Sequence, residues 1–354
     1  MSTNKSTWKK LTSMRLFMPL VCLLAIIIVA TITIPGFLSM SLKNGVPYGY
    51  PVDVINRASE LVILSVGMTL VTAASGGQDI SVGAVMAVAG AVCCQILSGG
   101  EVSVNSLSAP IIVAFLAALV ASGICGAFNG FLVAKLNIQP MVATLILYTA
   151  GRSIAAWINN NELPIVSDPT FSYFGGFIPG IPIPTPFFIA AVCVLVIFLV
   201  LKFTTLGLYT QSVGINENSS KLNGLNPTFI KFLTFVILGL CVAVAALIKV
   251  SRLSSINYSV IAKDIEMDAI LAVALGGNSL SGGKFNMAAS ILGAYVIQFL
   301  TTTLYKFDVQ SDALPAYKAV VVILLVVLST PKVREWLSAF GKKLKQGKAV
   351  KEVG

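Results

Sequence analysis

One carboxylate, two amides and three hydroxyls stand in two glycine-rich interruptions of an otherwise apolar chain. They are Gly76-Gly77-Gln78-Asp79-Ile80-Ser81-Val82-Gly83 and Gly276-Gly277-Asn278-Ser279-Leu280-Ser281-Gly282-Gly283. Four of the eight positions are identical, and Gln78/Asn278 and Ile80/Leu280 are close substitutions. This is no catalytic set: the chain has no His, no acid/base constellation and no CxxC. Its six cysteines, Cys22, Cys93, Cys94, Cys125, Cys193 and Cys241, all fall in apolar runs and read as small buried hydrophobes. Gly282-Gly283-Lys284 fails as a phosphate loop, with Asn278 in place of the first glycine and Phe285 in place of the magnesium-binding Ser or Thr. What these groups can do is line a wet cavity for an uncharged, hydroxyl-rich solute. Non-helical backbone at membrane depth must face protein or water, and glycine supplies both the dihedrals and close helix approach.

Asp79 is the most informative residue. A carboxylate in a bilayer costs roughly several kcal/mol unless it is hydrated, paired or at the interface. Arg152 is the candidate counter-charge. Asp79 can equally cap a helix beginning at Ile80-Ser81-Val82, and both readings stay open. Further polar residues on helical runs are Asn129, Thr144, Tyr148, Gln95 and Gln298; each alone reads more readily as an interhelical hydrogen bond than as a ligand contact. The candidates for a translocation path or gate are Gln78, Asp79, Ser81, Gln95, Arg152, Asn278, Ser279, Ser281 and Gln298. The helix-break glycines are Gly76, Gly77, Gly83, Gly276, Gly277, Gly282 and Gly283.

The similarity extends beyond the glycines. Val88-Ala89-Gly90-Ala91 and Gln95-Ile96-Leu97 align with Ile291-Leu292-Gly293-Ala294 and Gln298-Phe299-Leu300 after a three-residue insertion. Paired glycine-broken segments in two halves of a chain point to a transporter's substrate path; chance coincidence in a glycine-rich chain is the alternative.

The elements that must position these residues are membrane helices. Of 354 residues, 56% are hydrophobic and 11% charged, against about a quarter charged in soluble domains. The net charge of +10 does not indicate nucleic acid, because the basic residues sit at the chain ends and between apolar runs. Leu16 to Ile34 is long enough to span, and no small-residue cleavage site follows, so it reads as a retained first helix and not as a secretory signal. Further apolar runs lie at about 54–74, 82–98, 110–134, 140–158, 187–203, 229–249, 268–275, 287–305 and 316–330. The fold class is therefore all-α, with about ten transmembrane helices, an internal repeat and two helix breaks. The 268–275 run is too short to cross alone and ends part-way, at the second break.

With ten crossings and the N-terminus inside, the inner segments hold sixteen Lys/Arg and the outer ones five, which puts both termini in the cytoplasm. The weak point is 249–267, an outer segment carrying Lys249, Arg252 and Lys263. Residues 1–15 form a basic cytoplasmic N-terminus, 16–330 the transmembrane domain and 331–354 a basic cytoplasmic tail. The count puts the first break near the cytoplasmic face, as an inner gate or helix junction more than a solute pocket. Within 203–228, Asn216 to Leu222 reads as a two-turn helix ended by Gly224 and Pro227, a handle for a soluble partner or else a plain connector. The outer segment 159–186 holds six prolines, a density that forbids helix and suggests a rigid extended loop.

Several of these stretches, in this order, resemble the permeases of bacterial sugar ABC importers of the ribose/galactose/arabinose type. They are Pro51 to Ala58, Gly67-Met68-Thr69-Leu70-Val71, Gly76 to Ala87, Pro140-Met141-Val142-Ala143-Thr144-Leu145 with Gly151-Arg152, Val213-Gly214-Ile215-Asn216-Glu217, and Met267 to Gly283. The resemblance covers about residues 50–330 and is greatest to the permeases of galactofuranose and bifidobacterial fructose importers. It implies a non-enzymatic subunit without cofactors of its own, ATP and magnesium being bound by a separate cytoplasmic ATPase. It also implies a second permease copy or paralogue, an extracellular or periplasmic sugar-binding protein, and a bacterial cell-membrane location among lipid. Asn216, Glu217, Asn218, Ser219, Lys221, Leu222 and Gly224 fall where such permeases contact the ATPase. Gln78 departs from the family, which commonly has an apolar residue before the Asp. The expected function is import of a monosaccharide; a transporter coupled to ions through Asp79 or Asp268 and an uncoupled channel are the rivals.

Overall fold

In the computed structural model, which describes residues 16–43 and 46–329, glycine, proline and Asx residues set the ends of the helices. The basic ends, 1–15 and 331–354, lie outside the described residues. Helix α1 (Phe17–Thr33) leads through a hairpin of β1 (Ser41–Lys43) and β2 (Val46–Tyr48) to α2 (Tyr50–Ser75) and α3 (Val82–Ser98). Strand β3 (Ser103–Val104), α4 (Ile111–Ala134), α5 (Pro140–Ile158) and β4 (Ile165–Val166) follow. Then come α6 (Pro169–Ser172), α7 (Thr185–Phe203), α8 (Leu206–Ile215) and α9 (Glu217–Leu222). The chain continues with α10 (Pro227–Leu253), α11 (Ile265–Leu275), α12 (Met287–Lys306) and α13 (Leu314–Ser329). Pro140 and Pro227 open their helices, where a missing N–H costs nothing.

Among the described residues every apolar run is helical, and six helices (α2, α4, α5, α7, α10 and α12) are long and apolar enough to cross a membrane. The chain is a multi-pass helical membrane protein. In the most apolar 18-residue window of α2, 94% of residues are buried, against 17–28% in α4, α5 and α7. Thus α2 is surrounded by protein, packing on α7, α8, α10, α11 and α12, while α4, α5 and α7 leave wide apolar faces exposed. At the α4–α10 crossing the hydroxyl of Ser122 donates to the Gly239 carbonyl at 2.6 Å. A Cβ on Gly239 would lie 2.6 Å from the Ser122 carbonyl oxygen, so close backbone approach sets this contact.

The connections gather at two ends. At one, Gly77 touches Pro140, Gly76 touches Ser281, and Gly214 touches Ala73 and Gly283. At the other, β3 pairs with β4, Val166 N–H donates to Ser254 O, and the Lys306 ammonium lies 4.7 Å from the centre of the Tyr50 ring.

Three expectations need correction. The proline-rich segment contains one helical turn, α6, because Asp168 accepts from Thr170 N–H and Phe171 N–H and Pro169 sits in its first turn. Lys249 and Arg252 are not free loop charges. They end α10 and both pair with the buried Glu60 carboxylate, Lys249 at 3.1 Å. Residues 206–215, to which the sequence assigned no element, form α8.

Candidate functional site at the two helix breaks

Chain direction changes at Gly76, where φ is +65°, a left-handed conformation that glycine takes without a Cβ penalty. Gly77 then lies against Pro140, the first residue of α5, whereas Gly151, eleven residues along α5, lies against Ala84 near the start of α3. Eleven helical residues rise about 16 Å. Only the glycine end of this break is at the face shared with the other connections there. Its non-helical stretch carries the chain inward, and Asp79 lies part-way along that stretch.

Asp79 is 4% exposed and fully engaged. Its Oδ1 accepts from the Ser81 amide (2.8 Å) and hydroxyl (2.6 Å), and its Oδ2 from Asn129 Nδ2 (3.1 Å). Asn129 also donates to Ser81 Oγ at 2.9 Å, and Thr144 Oγ1 accepts from Ile80 N–H at 3.2 Å. Arg152 is not the counter-charge. Its guanidinium donates to the carbonyls of Tyr258 and Ile261 (2.8 and 2.9 Å), in the turn before α11. Asp79 thus acts as a local cap on Ser81, two residues before the helix-cap position proper. Truncating Asn129 to Ala is expected to lower the melting temperature of the detergent-purified protein, because a hydrogen bond to a charged group contributes about 1.5–3 kcal/mol. In an Asp79→Asn background the loss should be smaller; equal losses would show that Asn129 does not act through Asp79.

The second break follows the short α11. Asn278 is a staple, not a lining group. Its Oδ1 accepts from Asn286 N–H (2.6 Å) and its Nδ2 donates to Ser290 Oγ (2.7 Å), which is itself 2.7 Å from Thr69 Oγ1. Asn286 in turn caps α12 by accepting from Ala289 N–H. Ser279 and Ser281 are exposed, and Ser279 Oγ accepts from Ser281 N–H at 3.2 Å. Gly276 fits against Ala289, while Gly277, Gly282 and Gly283 hold φ of +72°, +90° and +94°.

The two breaks meet. Gln78 Nε2 donates to Leu280 O at 3.0 Å, and a Cβ on Gly282 would lie 3.1 Å from Gly76 Cα. Gly283 N–H donates to Ala73 O at 2.9 Å. The end of α8 completes the junction: a Cβ on Gly214 would lie 2.6 Å from Gly283 N and closer still to Ala73 O. Three backbones are in contact there with no side chain between them. Beyond Gly214, Asn216 caps α9 by accepting from Ser219 N–H at 2.9 Å, and Gly224 turns the chain at φ +77°. Glu217 bridges Lys221 (3.1 Å) and Lys231 (2.6 Å), tying α9 to α10. The Lys231 hydrogen bond holds the Glu217 carboxyl below its usual range, so the tie persists at neutral pH and is lost only as pH falls through that lowered value. Asn218, Ser219, Lys221 and Leu222 all face outward, Leu222 at 90% exposure.

Not all candidates share this site. Gln95 is near the far end of α3, next to Gly100, and Gln298 is on α12 beside Thr302 (3.3 Å), lining a cavity at the opposite end of the bundle. Gly83 packs on Glu266 and Ala262 of the turn and first residues leading into α11. The sequence reading missed α8 and the pairs Glu60–Arg252 and Asp268–Lys318. The one available signal was charge inside apolar runs.

A bundle of apolar helices interrupted by two polar breaks, with an exposed short helix beside them, fits a membrane permease component. Residues 50–330 match the family described as branched-chain amino acid transport system / permease component, and the chain belongs to that family. The galactofuranose transporter permease protein YtfT of Escherichia coli is 38% identical over 313 residues, 88% of this chain and 89% of its own. The fructose import permease protein FruF of Bifidobacterium longum is 36% identical over 348 residues, 96% and 94% of the two chains. The ribose import permease protein RbsC of Escherichia coli is 34% identical over 317 residues, 88% and 93%.

Proposed function

We propose that the chain is the permease subunit of an ATP-binding-cassette importer that carries a monosaccharide, in the class of fructose, galactofuranose or ribose, across the bacterial cell membrane. In this reading residues 16–330 cross ten times with an internal repeat, and 1–15, 203–228 and 331–354 are cytoplasmic. Supporting the alternation, connections of one parity meet at one end of the bundle and those of the other parity at the opposite end; the basic residues assign the first end to the cytoplasm. ATP and magnesium belong to a cytoplasmic ATPase docked on α9, a second permease copy or paralogue completes the membrane unit, and an external binding protein delivers the sugar.

The observation that carries the reading is the backbone junction of Gly214, Gly283 and Ala73, which ties the handle to both breaks. A movement pressed on α9 arrives where the helices are interrupted. Asp79 and Asp268, the acids an ion-coupled transporter would use, are committed to Ser81 with Asn129 and to Lys318.

The test is reconstitution in proteoliposomes with the ATPase, binding protein and any second permease. Accumulation of labelled D-fructose, D-ribose or D-galactofuranose should require ATP and all subunits. Accumulation by this chain alone under a proton or sodium gradient would overturn the proposal.

A further inference from the structure

A cavity of about 580 Å³ opens at the end of the bundle away from the helix breaks, between the first turns of α2 and α11 and the last turns of α12. Its mouth is marked by Tyr50 and Lys306, and its wall follows α2 down to Leu61. Those eleven residues correspond to a depth of about 16 Å. The volume lies within the ~300–1,000 Å³ of small-ligand sites.

The floor is unusual for a membrane bundle. Lys318, on the apolar α13, donates to both oxygens of Asp268 at 2.7 and 2.8 Å. Gln298, Thr301 and Thr302 line the same cavity; Gln298 Nε2 donates to Thr302 Oγ1 at 3.3 Å, and Thr301 Oγ1 donates to Ile297 O at 2.8 Å. Ionised side chains inside a membrane domain are retained where they pair and face a water-filled route. Four carboxylates and five cations line the cavity, so its charge nearly cancels. It is therefore suited to a neutral solute rich in hydroxyls. A carboxylate beside an ammonium, an amide and hydroxyls offers both acceptors and donors to adjacent hydroxyl groups of a sugar ring.

We propose that this vestibule is a monosaccharide-binding site held within one permease chain, where the solute pauses before reaching the breaks. The proposal rests on the transport reading above and adds a place for the sugar. The site is linked to the junction through the α11–α12 pair: Asp268 lies in the first turn of α11 and Gln298 on α12, while the opposite ends of these two helices enclose the second break. A Cβ on Gly276 would lie 2.7 Å from the Ala289 carbonyl carbon, so the two helices are in direct backbone contact there.

The test uses membrane vesicles, external face outward, carrying the permease and ATPase but no binding protein. Gln298→Cys, or Thr301→Cys if the first does not accumulate, is exposed to a membrane-impermeant cationic methanethiosulfonate, with the parent chain as background. Labelling from outside is expected, and millimolar D-fructose, D-ribose or D-galactofuranose should slow it at least threefold, whereas equimolar glycerol should not. Absence of labelling in both variants, or labelling that none of these sugars slows, overturns the proposal. ATP-driven uptake by the parent chain with binding protein restored is measured alongside, so a failure of the transport reading is told apart from a failure of the site.

Discussion

Gly214→Ala is expected to reduce ATP-driven uptake at least tenfold, equivalent to about 1.4 kcal/mol of lost coupling. The added methyl would lie 2.6 Å from the Gly283 amide and nearer still to the Ala73 carbonyl, both backbone atoms that cannot rotate away. Either α8 is pushed off α2, or the second break is displaced from the first. Overpacking of this kind costs roughly 1–3 kcal/mol, so a folded protein with a lowered melting temperature is expected, and its ATPase should lose stimulation by sugar-loaded binding protein. Gly123→Ala is the control. A Cβ there meets only Leu240, at an ordinary 3.5 Å, and uptake should be unchanged. Wild-type uptake by the Gly214 variant would remove the junction from the transport mechanism.

Leu222→Asp should act in the opposite manner, on assembly and not on the fold. Leu222 ends α9 with 90% of its surface exposed, and substitutions at such positions usually change stability by no more than ~0.5 kcal/mol. If the side chain anchors the ATPase, replacing it with a charge costs about 2 kcal/mol or more of association, a weakening of roughly thirtyfold. Co-purification of the ATPase with the permease is the measurement, with uptake alongside. Retained co-purification and uptake would mean that α9 is a plain connector.

Helix limits were legible because they are decided locally. The run 82–98 became α3 without adjustment, and the helix expected from Asn216 to Leu222 formed over Glu217–Leu222, with Asn216 as its cap and Gly224 turning the chain after it. Features set by distant partners were not legible. Residues 206–215 carry two glycines and no clear apolar stripe, so little local preference favours a helix; α8 stands because Gly214 fits into α2 and the second break. Glu60 and Arg252 lie 192 positions apart, a separation that no periodicity links. Arg152 was matched to Asp79 because opposite charges in lipid seek each other. Yet the turn before α11, with Ala262 and Asp264 at φ of +52° and +65°, leaves carbonyls in need of a donor, and the carboxylate was already satisfied by its own neighbours. The two glycine-rich stretches meet in the structure, where Gln78 Nε2 donates to Leu280 O. Most of their polar groups serve the backbone, and the groups that could hold a solute stand at the other end of the molecule.

A joint made of bare main chain has a consequence for what the protein can choose. With no rotamers between α8, α2 and the second break, there is no slack to absorb a displacement, and the three segments mesh like teeth. The same bareness deprives the joint of any chemical signature that one sugar could match better than another. Discrimination must then be exercised upstream, and related importers can exchange cargo by altering their outer surfaces while the inner mechanism stays as it is.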